Sequence, residues 1–422
     1  MKKAKWMLGA AALGLVGLLG ACGNASGTGD SNKAASGDKE EIEFFFQKTE
    51  MVDTMQKIID DFEKENNDIS VKLTQVTDGA TVLKTRMAGG DAPDVVHVYP
   101  ANADFKGWAE SGVFKDLSDA SYLSNITDGV PEQYSVKDKV YAIPLTNNAY
   151  GFFYNKDAFK KLGLEVPTTY DEFQQVVQKI KDDGKTPFSA ALTTEAAGFL
   201  NGYEQLAWAT GAGGYDQAED ALLHSAKGGI KADSATFKAV TKDLDLLRGN
   251  TQKNAQGATY DDSIAAFADG QALMFPNGSW ALPAIQKLEP SFEIGTFAFP
   301  GTDSTKPMTA GAADLSVAIS EKSKHQKAAQ KFVEYLTTKE AMQPYFDVDG
   351  SPTFVKSVDT KGKFPELEGI SSLVGTDQQI IWLHKDWTSE EDFWYANLDY
   401  IIDGDSAKYE KSLNAFFDTM KD

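Results

Sequence analysis

From residue 42 onward two apolar patterns alternate along the chain. The run "IEFFF" (42–46) has the length of a buried strand, and behind it Met51, Met55, Ile58, Ile59 and Phe62 recur at helical spacing on one face. Ile69, Val71 and Leu73 then alternate with Ser70, Lys72 and Thr74, which predicts a second strand. Residues 81–88 predict a helix, and "DVVHV" (94–98) a strand covered on both faces. Strand, helix, strand, helix, strand in that order predicts an open parallel sheet, whose ligands sit beyond the carboxyl ends of the strands.

The alternation continues. "VYAIPL" (140–145) and "YGFFYN" (150–155) predict strands, 171–181 a helix, and Phe237, Val240, Leu244 and Leu247 a helical stripe. "QALMFP" (271–276) follows a helix that Gly270 should end, and "LSVAIS" (315–320) precedes a helix marked by Ala329, Phe332, Val333 and Leu336. Tyr409, Leu413, Phe416, Phe417 and Met420 form the last stripe, and no repeat of 20 to 50 residues is visible. The fold class is therefore α/β.

The first 40 residues follow neither pattern. Lys2, Lys3 and Lys5 precede an apolar, glycine-rich run from Trp6 to Ala21, the layout of a secretory signal peptide over 1–21. It is too short and too glycine-rich for a spanning helix, which needs about 20 apolar residues. Cys22 is the only cysteine in 422 residues, so no internal disulfide can form. Small, polar residues without periodicity then predict a flexible tether over 22–40.

Beyond Ala21 about 400 residues remain, above the roughly 250 to 300 at which one core stops growing, so two lobes are expected. The net charge of −21 becomes more negative by three once Lys2, Lys3 and Lys5 leave. Nucleic acid is thereby disfavoured as a partner, since phosphate binding needs a basic footprint. Anionic substrates are disfavoured too, and the acidity serves solubility.

Four stretches, "AGGDAPDVVHVYPANADFKGWAESGVFKDL" (88–117), "YAIPLTNNAYGFFYNKDAF" (141–159), "AAFADGQALMFPNGSWA" (265–281) and "FWYANLDYIIDGD" (393–405), resemble in order the extracellular solute-binding proteins of carbohydrate importers, a group that includes the maltodextrin-binding proteins. "LGAC" before the tether resembles the bacterial lipobox, which implies a diacylated Cys22 anchoring the protein at the extracellular face of the cell membrane. The resemblance implies a periplasmic-binding-protein-like fold: two α/β lobes joined by crossing strands, with hinge closure over a solute. On the pattern the crossings fall near 149–153, 315–318 and 350–354. The expected division is 41–150 and 316–350 in the first lobe, 151–315 and 351–422 in the second. The family performs no catalytic step and passes its solute to a membrane permease driven by a separate ATPase.

A sugar presents an apolar face and a rim of hydroxyls, so its cleft needs flat rings together with carboxylates and amides. Trp280 in "NGSWA" matches the family's sugar-stacking ring, Trp394 in "FWY" a second, and Tyr203 in "NGYEQLAW", beside Glu204, a third. Trp208, five residues on, points elsewhere on a helix and is read as core. Trp382 and Trp387 in "IIWLHKDW" line the cleft or seal the lobe. Gln47, Lys48 and Glu50 follow the first strand, where the switch-point rule places a ligand. Lys48 also matches a sugar-contacting position; the alternative is a solvated loop lysine. Asn148 stands where maltodextrin binders carry glutamate, which keeps hydrogen bonding and removes a charge. Asn102 and Asp314 sit at loop edges near the cleft, with capping or turn roles as the alternative. Asp94 and His97 are read as structural.

No nucleophile elbow, Walker loop, His-Glu-x-x-His or Cys-x-x-Cys is present, and "DVDGS" and "DGDSAKYE" lack calcium-loop spacing, so neither cofactor nor metal is expected. The competing class is an exported, lipid-anchored glycoside hydrolase, which needs two carboxylates about 5 to 10 Å apart; no such pair can be named. The expectation is a monomeric receptor for a neutral di- to oligosaccharide. α-Galactosides such as raffinose, fructo-oligosaccharides and maltodextrins all fit.

Overall fold

The computed structural model describes residues 39–76 and 79–421. The expected signal peptide, Cys22 and nearly all of the expected tether lie outside these residues. The described chain begins at once with β1 (Glu40–Phe45), whose first N–H donates to the Asp68 carbonyl.

Five strands make the first sheet, in the order β2 (Ile69–Thr74), β1, β3 (Val95–Val98), β10 (Ser316–Ile319), β4 (Ile143–Pro144). β1 runs parallel to both β2 and β3, as the strand and helix order predicts, and β10 lies antiparallel between β3 and β4. The unbroken phenylalanine run of β1 has a simple cause, since both faces of the sheet are covered. Phe44 packs edge-on against Phe332 of the helix Gln326–Leu336, and Phe332 does the same to Phe62 of the helix Val52–Glu65. Phe45 points the other way, into Leu83, Met87, Val96 and Phe105. Burying each such ring contributes roughly 1.5 to 3 kcal/mol.

The second sheet orders β11 (Gln379–Ile380), β9 (Thr309–Ala310), β5 (Tyr150–Asn155), β7 (Ala272–Gly278), β6 (Thr186–Phe188), with β8 (Ile294–Phe297) also paired to β5. β5 is again buried on both sides. Phe152 stacks on Phe297 at 4.8 Å between centroids, whereas Phe153 enters the cluster of Phe267, Phe275 and Ile285.

One predicted strand is much shorter than its apolar run. Of 140–145 only Ile143 and Pro144 join the ladder. The Val140 N–H donates to Ser118 Oγ and its carbonyl accepts from Leu117, so a loop takes the hydrogen bonds a strand would need.

Candidate ligand-binding cleft

Between the sheets three segments run side by side. The Asn147 N–H donates to the Pro352 carbonyl at 2.7 Å, the Asn148 N–H to Ala312 at 3.1 Å, the Asp314 N–H to Thr146 at 2.9 Å and the Phe354 N–H to Leu145 at 2.9 Å. Asn148 Oδ1 accepts from the Ala312 N–H at 2.8 Å, so its side chain staples two of these segments and that oxygen is already engaged.

Lys48, just past β1, is buried against the same place. Its Nζ lies 2.6 Å from Asp314 Oδ2, 3.2 Å from Asp349 Oδ1 and 3.8 Å from Glu50 Oε1. Burial disfavours the ammonium, but Asp314 and Asp349 outweigh it and hold the Lys48 pKa well above its ordinary value. Lys48 is therefore no solvated loop lysine; it ties the end of β1 to a crossing segment. For Glu50 burial raises the pKa, with Lys48 opposing. His97 sits fully buried in β3, where burial lowers its pKa to about 3. It accepts from the Gln47 N–H through Nδ1 and donates from Nε2 to the Asp314 carbonyl. Asp94 accepts from the Glu43 N–H and the Ser323 hydroxyl, the structural role expected of it.

The opposite wall is aromatic. Gly278 precedes the turn of Trp280, and a Cβ there would fall 2.0 Å from the indole: the half-buried ring lies against the bare backbone, which only glycine permits. Trp394 lies over Gly198 less tightly, a Cβ there falling 3.1 Å from the ring. Phe199 stacks on Tyr260 with 3.6 Å between centroids. The Tyr260 hydroxyl, close to Trp280 and Asn277 and within reach of the Glu50 charge, has no hydrogen-bond partner, nor has the Trp394 Nε1. Buried donors without partners are costly, and these two lie beside the rings.

Two sequence expectations need correction. Tyr203 is fully buried, its ring set edge-on to Phe152 and Phe299 and its hydroxyl donating to the Asp243 carbonyl, so it presents no face to a sugar. The helix Asn201–Ala212 is buried at every residue from Asn201 to Thr210, which makes it a core helix. Glu204 on that helix is fully buried with both carboxylate oxygens unpartnered, and burial alone raises its pKa well above the carboxylate range. It is a core residue and faces no cleft. Trp208 donates to the Tyr409 hydroxyl at 3.1 Å inside this core, as read.

Of the tryptophans left open, Trp387 packs among Phe393, Phe416 and Phe417, and Trp382 stacks on His384 and meets Tyr150 edge-on. His384 belongs to a cluster the sequence did not disclose. Asn102, at the start of the helix Ala103–Glu110, reaches across to His384 and Glu390. Lys84 meets Glu391 at 3.3 Å and Lys106 meets Asp386 at 3.2 Å beside it. A small hollow of about 60 Å³ opens between Lys84, Asn102, His384, Glu390 and Glu391. Among the described residues no group of three His, Cys, Asp or Glu side chains is placed to hold a metal.

Two sheets joined by three segments that bridge antiparallel to one another, with glycine-backed rings on one side, define a protein that encloses a ligand in a cleft. The chain belongs to the family of bacterial extracellular solute-binding proteins, whose model matches residues 48–343. It is 46% identical, over 99% of both chains, to the multiple sugar-binding protein of Streptococcus mutans. Among solved structures it is similar to RafE in complex with raffinose, at 47% identity and a TM-score of 0.87 over 90% of this chain and 99% of that one. Against the apo form of RafE from Streptococcus pneumoniae, at the same identity, the TM-score is 0.80 over 91% and 98%.

Proposed function

We propose that this protein is the receptor of an ATP-driven importer, capturing a neutral di- to oligosaccharide between its two sheets and passing it unreacted to a membrane permease. Residues 145–149 and 311–315 serve as two hinge segments, just ahead of the expected 149–153 and 315–318, which lie within β5 and β10; residues 354–356 bond to Asn125 and Thr127 of the first lobe, so the third crossing follows them rather than falling at 350–354. Trp280, Trp394 and Trp382 supply the apolar wall, and Glu50 and Asn102 face it; Lys48, Asp314 and Asn148 hold the hinge behind them. The observation that carries the reading is the 47% identity, over nearly the whole chain, to RafE, which is solved in complex with raffinose. It favours raffinose or a related α-galactoside over a maltodextrin.

A thermal-shift series with raffinose, fructo-oligosaccharides and maltodextrins tests this. Raffinose at 100 times its Kd is expected to stabilise the protein by about 2.7 kcal/mol, and to be recovered intact after prolonged incubation. A panel in which no sugar raises the melting temperature overturns the reading, and release of a monosaccharide makes the protein a glycoside hydrolase. Lipid anchoring at Cys22 rests on "LGAC" and the tether behind it. Cys22→Ala is expected to move the protein from the membrane fraction to the medium; a variant that stays membrane-bound after normal signal processing refutes the anchor.

A further inference from the structure

Beneath the aromatic wall one residue touches three of its parts. Tyr150 opens β5 and is fully buried, so its ring presents no face to a ligand. Its backbone is fixed twice by the buried Thr309: the Tyr150 N–H donates to Thr309 Oγ1 at 3.1 Å, and the Thr309 hydroxyl donates back to the Tyr150 carbonyl at 2.9 Å. Its ring is fixed by Gly202, where a Cβ would fall 2.3 Å from it, so the first turn of the helix Asn201–Ala212 lies directly on the phenol. From that seat the ring reaches Trp280 at 6.0 Å between centroids and Trp382 at 6.4 Å, the latter edge-on. Its hydroxyl donates to the Phe199 carbonyl at 3.2 Å. Phe199 follows Gly198, the residue that Trp394 lies over, in the 3-10 helix Thr194–Leu200. Burial raises the Tyr150 pKa well above its ordinary value, so the hydroxyl keeps its proton and stays a donor.

We propose that Tyr150 is the positioning residue of the sugar site: its ring seats Trp280 and Trp382, and its hydroxyl fixes the segment Thr194–Leu200 on which Trp394 rests. The inference rests on the sugar-capture reading. A flat ring stabilises a bound sugar most when its orientation is set beforehand, because ordering a side chain on binding costs affinity. The three tryptophans come from separate stretches of the chain, and Tyr150 gives them a common reference. The two parts of its side chain act separately. Tyr150→Phe therefore keeps the seat of Trp280 and Trp382 and removes only the bond that holds the Trp394 segment.

Raffinose calorimetry tests this on the wild type, Tyr150→Phe, Trp394→Ala, Trp280→Ala and the two doubles that join Tyr150→Phe to each truncation. Tyr150→Phe is expected to weaken raffinose binding about three- to tenfold, the size of one lost hydrogen bond. Beside Trp394→Ala the same change should have no further effect, since the ring it positions is gone, whereas beside Trp280→Ala the loss should recur in full. A tyrosine that only supported the fold would lower the melting temperature in every background and leave raffinose affinity alone. Raffinose bound by Tyr150→Phe as tightly as by wild type overturns the inference, as does a loss that persists beside Trp394→Ala or vanishes beside Trp280→Ala; each leaves sugar capture standing. Undiminished affinity in Trp394→Ala takes that ring out of the site and overturns the inference too. No raffinose binding by wild type overturns the sugar reading itself, and the inference with it.

Discussion

Lys48→Met is expected to lower the stability of the unliganded protein by about 3 to 5 kcal/mol, the usual cost of stranding buried charge. Lys48 and Asp314 are almost inaccessible and Asp349 is entirely so, and Asp349 Oδ2 already lacks a partner. Removing the ammonium leaves two buried carboxylates facing each other with nothing to neutralise them. They can escape only by taking up protons, which gives the prediction a second signature. The penalty of two unneutralised buried charges is full at neutral pH, and the gap to wild type narrows as the pH falls into the carboxylate range. Adding Asp349→Asn to the variant should recover part of the loss, since one stranded charge is gone. Denaturant midpoints at neutral and acid pH measure all three. A loss below about 1 kcal/mol, typical of an exposed ion pair, would show that the lysine is solvated after all and that the end of β1 is not tied to Asp314.

The same residue shows where sequence reasoning stops. The run after β1 placed Lys48 near the cleft because open α/β sheets present their strand ends there, and that geometry is general. Its partners Asp314 and Asp349 are 266 and 301 residues away, and no local pattern announces such pairings. The strands β1, β3 and β5 were legible because both faces are buried and the apolar runs are therefore continuous. The 140–145 run misled for the converse reason: apolar residues filled a position whose backbone bonds go to a loop. Tyr203 misled because a helix buried all round carries aromatics on every face, so an aromatic in a familiar motif says nothing about which way it points. Glu390 was invisible. It lies in "TSEED", which reads as a solvated acidic run, and its contacts with Asn102, 288 residues distant, and with His384 have no local signal. The one available hint was His384, a lone histidine flanked by tryptophans in "IIWLHKDW".

Trp280→Ala separates a ligand-stacking ring from a structural one. The ring is half-buried and lies along Gly278, 6.0 Å from the Tyr150 ring, with the unpartnered Tyr260 hydroxyl beside it. An indole whose inner face is backed by bare backbone is held flat before any ligand arrives, and a sugar laid on its outer face buries apolar area without ordering the side chain. Truncation should therefore remove about 1 to 3 kcal/mol of binding, weakening raffinose affinity roughly 5- to 150-fold by calorimetry. Trp208, fully enclosed and bonded to Tyr409, is the internal standard for a core tryptophan. Trp208→Ala opens a cavity and should cost about 3 to 5 kcal/mol of folding stability. Trp280→Ala should lose less than that, because its ring is only partly buried and the space it leaves is not fully enclosed. The comparison needs no ligand, so it can be made even before the sugar is settled. If unliganded Trp280→Ala melts as low as Trp208→Ala, the ring is a plug between the helix Leu282–Lys287 and its sheet, and raffinose affinity unchanged by the truncation would remove Trp280 from the cleft altogether.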